Sequence, residues 1–333
     1  MQMNRHGCLV ISLDFEMMWG CHDWATLMDY GKSNISAVRS VIDKLLELFN
    51  RYEIHATFAT VGLLFCQDNE DAIKHRPVKL PSYFDSNLSP FKIDYINRIN
   101  DQDFSLYYAL DVIEKLKICP NIEIGSHTFS HYFCQEEGQT IEEFQADLAE
   151  MNKIASEHGV ELESIIFPKN QVSKNYIEAC VNWGLKYYRG NALKYFSPTK
   201  NKTIALKNRI CRLVDAYVNI GGNTSYPYER IDRSKNLINI PASRFIRPFN
   251  PQLYLLERLR LYRVKCEIRY AAKHNEVYHI WWHPHNCGAN LENNMWFIEE
   301  ILKCYSECHR TYSMQSYTMR EIADLLLNPK NKI

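Results

Sequence analysis

Short apolar runs alternate with amphipathic helical stretches along most of this chain, and that rhythm limits the folds open to it. Residues 8–13 (CLVISL) are β-branched and aliphatic, stop at Asp14 and Glu16, and read as a buried strand. Residues 36–51 place Val38, Val41, Ile42, Leu45, Leu46 and Phe49 at helical spacing. Residues 54–61 (IHATFATV) return as a strand closed by Gly62. Strands joined through a helix pair in parallel, because a parallel pair needs a crossover of that length. The rhythm therefore predicts an α/β fold.

The rhythm breaks over residues 68–104, which hold Pro77, Pro81, Pro90 and no clear period. A stretch this long without periodicity predicts a functional insertion or lid. It resumes with a helix over 106–116, a strand over 121–125 and a helix over 140–158. Thr140 and Glu143 form a capping box at the start of that helix. A strand over 163–167, a helix over 173–183 and a short strand over 185–188 follow. Residues 190–251 carry Gly221-Gly222, Pro227, Pro241 and Pro248, and predict loops with one or two helical turns. Residues 253–274 read as a long basic amphipathic helix with a solvated charged face. A strand over 277–283 (VYHIWWH) and helices over 291–308 and 319–327 complete the chain. There is no internal repeat, low-complexity run or linker. Residues 1–333 thus read as a single domain with insertions at about 66–105 and 190–250, although 333 residues could hold two domains.

Composition narrows the partners. Lys+Arg and Asp+Glu are both 39, so the formal net charge is zero and gives no global pull toward nucleic acid or an anionic membrane. A local basic patch is not excluded by this balance. The first apolar run meets acidic residues too soon for a signal peptide, and nothing approaches the ~20 apolar residues of a membrane span. The eleven cysteines are scattered without a C-x-x-C pair and read as reduced thiols, with Cys304 and Cys308 as packing residues. The expected location is cytoplasmic. Nothing in the sequence specifies an oligomeric state.

Four clusters sit at strand ends, where active sites gather in parallel α/β folds. Asp14-Phe15-Glu16 puts two carboxylates on one side of an extended strand, and a cation between them would relieve their repulsion. His127 and His131, in GSHTFSH, are i and i+4, so one helical turn would bring both imidazoles to a divalent metal. His283-Pro284-His285-Asn286 offers an imidazole near neutrality for acid or base work. Phe167-Pro168-Lys169-Asn170-Gln171 offers one cation and two amides. Singly, each cluster also reads as a polar strand end, a surface lysine or a satisfied histidine; together their types complement one another.

These residues resemble the polysaccharide deacetylase family, the NodB-homology carbohydrate esterases. Residues 11–20 (ISLDFEMMWG) look like its first motif, and 55–62 (HATFATVG) resemble the strand that follows. Residues 123–131 (EIGSHTFSH) are similar to its metal-binding histidine motif, the most specific of the set. Residues 167–171 (FPKNQ) and 280–286 (IWWHPHN) stand where it has its arginine–proline and leucine–histidine motifs. The resemblance spans about residues 8–327 and is weak in the two inserts. It implies a distorted (β/α) barrel with fewer than eight regular strands.

By resemblance, the chemistry is metal-assisted hydrolysis of an N-acetyl group, or an O-acetyl or N-formyl group, on a sugar or polysaccharide precursor. His127 and His131 would bind a divalent ion, zinc in first place with Co2+, Ni2+ or Mn2+ as alternatives. Asp14 would be the base and His283 the acid. Two positions depart from the family pattern. Phe15 stands where a metal-binding aspartate is usual, which shifts that role to Glu16; the reverse assignment, Asp14 on metal and Glu16 as base, stays open. Lys169 replaces an arginine and would orient Asp14 less firmly than a bidentate fork. Asn170, Trp282, His285 and Trp19 are candidates for supporting or substrate contacts, with core packing the alternative for Trp19 and Trp24. Acetylated sugar is the implied partner, with a nucleotide- or lipid-linked intermediate of surface-polysaccharide synthesis suiting a cytoplasmic enzyme. The competing expectation is a catalytically impaired esterase fold that only binds sugar.

Overall fold

A computed structural model describes residues 5–92, 94–192, 211, 213–232 and 237–327. Nine strands form one sheet: β1 (Cys8–Phe15), β2 (Ala56–Thr60), β3 (Ile122–Ser126), β4 (Ser164–Ile165), β5 (Tyr187–Tyr188), β6 (Ile238–Asn239), β7 (Arg244–Phe245), β8 (Val277–Trp282) and β9 (Gln315–Tyr317). Their order is β6-β5-β4-β3-β2-β1-β8-β7, with β9 on β1. Every ladder between these strands is parallel.

The two ends of this order are one stretch of chain. Residues 238–245 pair with β5 through Ile238–Asn239 and with β8 through Arg244–Phe245. Between them, the N–H groups of Ala242 and Ser243 donate to the carbonyls of Gly190 (2.9 Å) and His279 (2.7 Å). This bent segment links both sheet edges and makes the architecture a distorted (β/α) barrel. Two residues per strand and Pro241 in the bend left no strand pattern to read, so the expectation of loops over 190–251 is corrected here. Residues 193–210, 212 and 233–236 of that expected insertion lie outside the described residues.

Alternation along β1 separates two cores. Leu9, Ile11, Leu13 and Phe15 join the layer between sheet and helices, while Cys8 and Val10 join the barrel interior. Ser12 and Asp14 continue the inward series. The interior is thus apolar at the strand starts and polar at the strand ends. The helix Met319–Leu327 contributes Met319, Ile322, Ala323 and Leu326 to the lower core. It is pinned there by N–H bonds from Met319 to Thr57 Oγ1 and from Arg320 to Glu123 Oε2, both 2.9 Å.

Helices form at Val38–Arg51, Ile141–Glu157, Lys174–Val181, Tyr254–His274 and Leu291–Tyr312. The Thr140–Glu143 capping box is present. The single helix expected over 106–116 is two, Phe104–Tyr107 and Leu110–Lys117. The break frees carbonyls: Tyr107 accepts from Trp19 Nε1 (2.7 Å) and Tyr108 from Arg39 (2.9 Å). The insert after β2 holds the short helix Asn69–Lys74 and packs behind the histidine loop, with Phe91 stacked on Phe129. Among the described residues no helix is long and apolar enough to cross a membrane, and all eleven cysteines are free thiols.

Candidate active site

The strand registers bring the C-terminal ends of the barrel strands to one level. Phe15 pairs with Thr60, Thr60 with Ser126, Ser126 with Ile165, and Ile165 with Tyr188. Asp14 and Glu16, His127, Arg189 and His283 therefore converge at one mouth.

Glu16 is the hub. Its Oε1 lies 3.0 Å from His127 Nε2, 3.4 Å from His131 Nε2 and 3.5 Å from His283 Nε2. Burial pushes this carboxyl up. The charges of His283 and His131 and the bond from His127 outweigh burial and hold it well below the usual carboxylate range. Gly20 packs directly over it: a Cβ there would stand 1.8 Å from Glu16 Oε2.

His127 donates Nδ1–H to the Ile166 carbonyl (2.7 Å), which turns Nε2 toward Glu16. The two histidines do not share a helical turn, contrary to their spacing. A loop brings them together, with Thr128 (φ 62°) and His131 (φ 58°) in left-handed conformation and ring centroids 5.1 Å apart. Buried Asp147 holds that loop, accepting from Phe129 N (2.6 Å), Ser130 N (3.0 Å) and the Ser130 hydroxyl. Among the described residues, five of the nine non-glycine residues with positive φ, namely Met17, Thr128, His131, Lys169 and Asn170, sit at these strand ends. Such backbone is kept where the surroundings over-determine it.

Asp14 lies at the same mouth, its carboxylate within 4.8 Å of Glu16 and His283, and has a partner of its own. Arg189 grips it bidentately, Nη1 to Oδ1 at 2.7 Å and Nη2 to Oδ2 at 2.8 Å, with both groups buried. Burial raises this carboxyl, and the guanidinium together with the charges of His127 and His283 more than offsets it, so Asp14 titrates below its ordinary range. Arg189 also donates to Ser12 Oγ and Asn170 Oδ1, each 3.0 Å, and its guanidinium carbon lies 4.2 Å from the Trp281 ring centroid. Behind it, His279 Nε2 is 2.9 Å from Ser12 Oγ.

His283 Nε2 lies 3.7 Å from Asp14 Oδ2, between the two carboxylates. Burial lowers this imidazole, but Glu16 and then Asp14 raise it above its ordinary value overall. Tyr30 donates to Asn286 Oδ1 (2.9 Å), and Asn286 Nδ2 meets His283 Nδ1 (3.1 Å). That chain steadies the ring with Nε2 facing the mouth. His285 stacks on His283 at 5.0 Å and 11°, and burial pushes it down to about 3, which keeps it neutral.

Three expected residues lie elsewhere. Lys169 does not reach Asp14: its Nζ pairs with Asp23 (2.8 Å) and sits 4.0 Å from the Phe133 ring centroid. Trp282 points outward into the helical core against Phe49, and Trp281 occupies the interior position beside Arg189. Trp19 is fully buried among Tyr95, Tyr107 and Tyr108. Asn170 reaches the site through Arg189, while Trp24 remains 62% exposed. Arg189, Ser12, Trp281 and Asp147 belong to the site although they lie outside the four sequence clusters. Two of them left a signal: Trp281 through the alternation back from His283, and Arg189 as an arginine directly after the short strand of YYRG.

The residues fit a divalent cation. Donor atoms of Glu16, His127 and His131 lie within 4.8 Å of one another, as do those of Asp14, Glu16 and His283. Both ring nitrogens of His131 are buried without a hydrogen bond, and burial lowers its pKa despite the Glu16 carboxylate beside it. One carboxylate and two imidazoles are a catalytic zinc donor set, with positions left for water and substrate.

A parallel barrel with carboxylates, histidines and a buried arginine at its strand ends defines a class of hydrolase scaffold. Residues 20–188, just over half of the chain, match the family model for polysaccharide deacetylase, and the chain belongs to that family. That match contains His127 and His131 but not Asp14, Glu16, Arg189 or His283. No curated protein matches the sequence. Among solved structures, a protein of Mycobacterium smegmatis assigned as a polysaccharide deacetylase is similar over 100% of this chain and 94% of its own, at 12% identity and TM-score 0.57. A GH57 branching enzyme of Thermococcus kodakaraensis is similar over 98% and 72%, at 11% and 0.54. A polysaccharide deacetylase-type protein of Pseudomonas aeruginosa PAO1 is similar over 97% and 92%, at 13% and 0.51. At these identities the likeness is one of fold, the NodB-type distorted barrel. The family supports a carbohydrate deacetylase.

Proposed function

We propose that this chain is a metal-dependent hydrolase that removes an N-acetyl group from a sugar, with O-acetyl or N-formyl groups as alternatives. One observation carries the reading: the Glu16–His127–His131 donor set and the Arg189-bound Asp14 face each other with His283 between them. Glu16, His127 and His131 would hold the ion, with zinc in first place. When bound, such an ion polarises the acetyl carbonyl and acidifies water.

The chain's own groups would do the rest. Asp14, kept ionised and aimed by Arg189, accepts the proton of the attacking water as its oxygen bonds to the acetyl carbon. His283 delivers Nε2–H to the sugar nitrogen as the carbon–nitrogen bond breaks, yielding acetate and the free amine. It donates as the imidazolium, the form that Glu16 and Asp14 favour, and is left a neutral imidazole, while Asn286 and Tyr30 steady the ring. Placement of Glu16 with the histidine pair supports it as ligand and Asp14 as base, over the reverse. Arg189 on Asp14 also supports catalysis over a binding-only protein, since the fork that Lys169 cannot supply comes from another strand.

The test is metal analysis paired with acetate release from N-acetylated sugars, with and without chelator. Wild-type protein is expected to carry about one divalent ion and to lose turnover on chelation, and His131→Ala is expected to lose both. Acetate release by metal-free His131→Ala at the wild-type rate would overturn the reading.

A further inference from the structure

The exposed large apolar side chains of the described residues are not scattered. Ten of the eighteen come from residues 213–220 and 253–262. The first segment is bonded to the helix that carries the second and to the chain leading into it: Arg263 donates to Asn219 Oδ1 (3.0 Å) and Arg247 to Tyr217 Oη (2.7 Å). On the helix Tyr254–His274, Leu255 (79% exposed), Leu259 and Tyr262 (63%) are i, i+4 and i+7, a single stripe. Val218 (53%) and Ile220 (51%) are exposed on the segment bonded to that helix.

Position gives the stripe its meaning. Arg260 Nη1 donates to the Arg247 carbonyl (2.9 Å), two residues beyond the last residue of β7. The helix is therefore already level with the strand ends at residue 260. Residues 253–259 run on by about 10 Å, at 1.5 Å per residue. They overshoot the barrel on the face where Asp14, His127 and His283 open.

Charge selects the occupant. Both acidic residues of the two segments are buried and paired, Asp215 with Arg244 and Glu257 with Arg260. Arg258 is the exposed charged side chain of the described segments, its guanidinium carbon 5.2 Å from the Tyr254 ring centroid. Two copies meeting by this face would oppose Arg258 to its equivalent with no exposed carboxylate from either segment. An apolar stripe edged by arginine instead fits anionic lipid, lying in the interface plane.

We propose that this face docks the protein on an anionic bilayer, with Leu255, Leu259 and Tyr262 in the headgroup boundary and Arg258 on lipid phosphates. On a bilayer the mouth opens toward headgroup-borne sugars; that consequence, unlike the docking, rests on the deacetylase reading. The test is co-sedimentation of the full chain with vesicles of phosphatidylcholine alone or mixed equally with phosphatidylglycerol. Binding is expected on the mixed vesicles, about tenfold weaker on phosphatidylcholine and in high salt. It should be lost in Leu255→Ser/Leu259→Ser/Tyr262→Ser, with deacetylation of a soluble sugar unchanged. If that variant fails to fold, Arg258→Glu alone should weaken mixed-vesicle binding. Equal binding by wild type and variants, or none by wild type, overturns the proposal. So does a wild-type dimer that the triple variant dissolves, which would assign the face to a second copy. A protein that binds vesicles but releases no acetate leaves the docking intact and removes the deacetylase reading.

Discussion

Asp14 owes its ionised state and its aim to one guanidinium that no spacing pattern announced. A lysine in a strand-end cluster drew the role on paper, yet Lys169 turns aside to Asp23 and Phe133. A lone arginine after a two-residue strand has no periodicity to mark it. The tryptophans differ: counting back in twos from His283 gives Trp281 and His279 on the interior face, so the alternation held that answer. Asp14, Glu16, His127, His131 and His283 were legible because strand ends cluster in parallel folds. Arg189→Gln is expected to lower kcat on the order of 10²-fold, since a misplaced reacting group costs about that much. Metal content should stay at the wild-type level. Lys169→Ala, which removes a partly exposed pair, should cost no more than about twofold to threefold. Steady-state kinetics with metal analysis on both variants checks the contrast.

Element boundaries followed the hydrophobic period where helices and strands were long, and failed where tertiary contacts outweighed local preference. Tyr108 leaves the helical conformation as Arg39 and Trp19 take the carbonyls around it. The histidine loop is the sharper case, because i, i+4 spacing predicted a turn of helix and the chain uses two left-handed residues instead. Asp147, from the helix Ile141–Glu157, makes that loop affordable by accepting two buried N–H groups and a hydroxyl. Its removal leaves donors without acceptors at about 1–3 kcal/mol each. Asp147→Ala should therefore lose about 2–5 kcal/mol of stability, read by denaturant melts. His131 would lose its support, and metal affinity should fall about 10- to 100-fold in a chelator competition.

At the scale of the whole molecule, the barrel is closed by a segment that carries almost no strand signal. Its closure rests on charge as much as on backbone pairing. Arg244, on β7, donates to Glu267 at 2.6 Å from the helix Tyr254–His274, and Tyr278 of β8 donates to the same carboxylate at 2.8 Å. Arg263 lies 3.1 Å from it. Glu267 thus ties the closing strand, the neighbouring strand and the outer helix into one buried network. Burial pushes its carboxyl up, but Arg244 and Arg263 outweigh burial and hold it below its usual 4.5. A carboxylate depressed in the fold contributes stability that is fully present above its unfolded pKa and lost as pH falls through the folded value. Wild-type protein should therefore weaken progressively as pH drops below about 4.5. Glu267→Gln leaves two arginines buried without their counter-charge and should cost about 3 kcal/mol near neutrality. Because its neutral amide does not titrate, its stability should fall less steeply over the acid range, so the two curves converge as pH drops. Urea melts at several pH values measure both slopes, and parallel curves would show that Glu267 does not carry the acid sensitivity of the barrel.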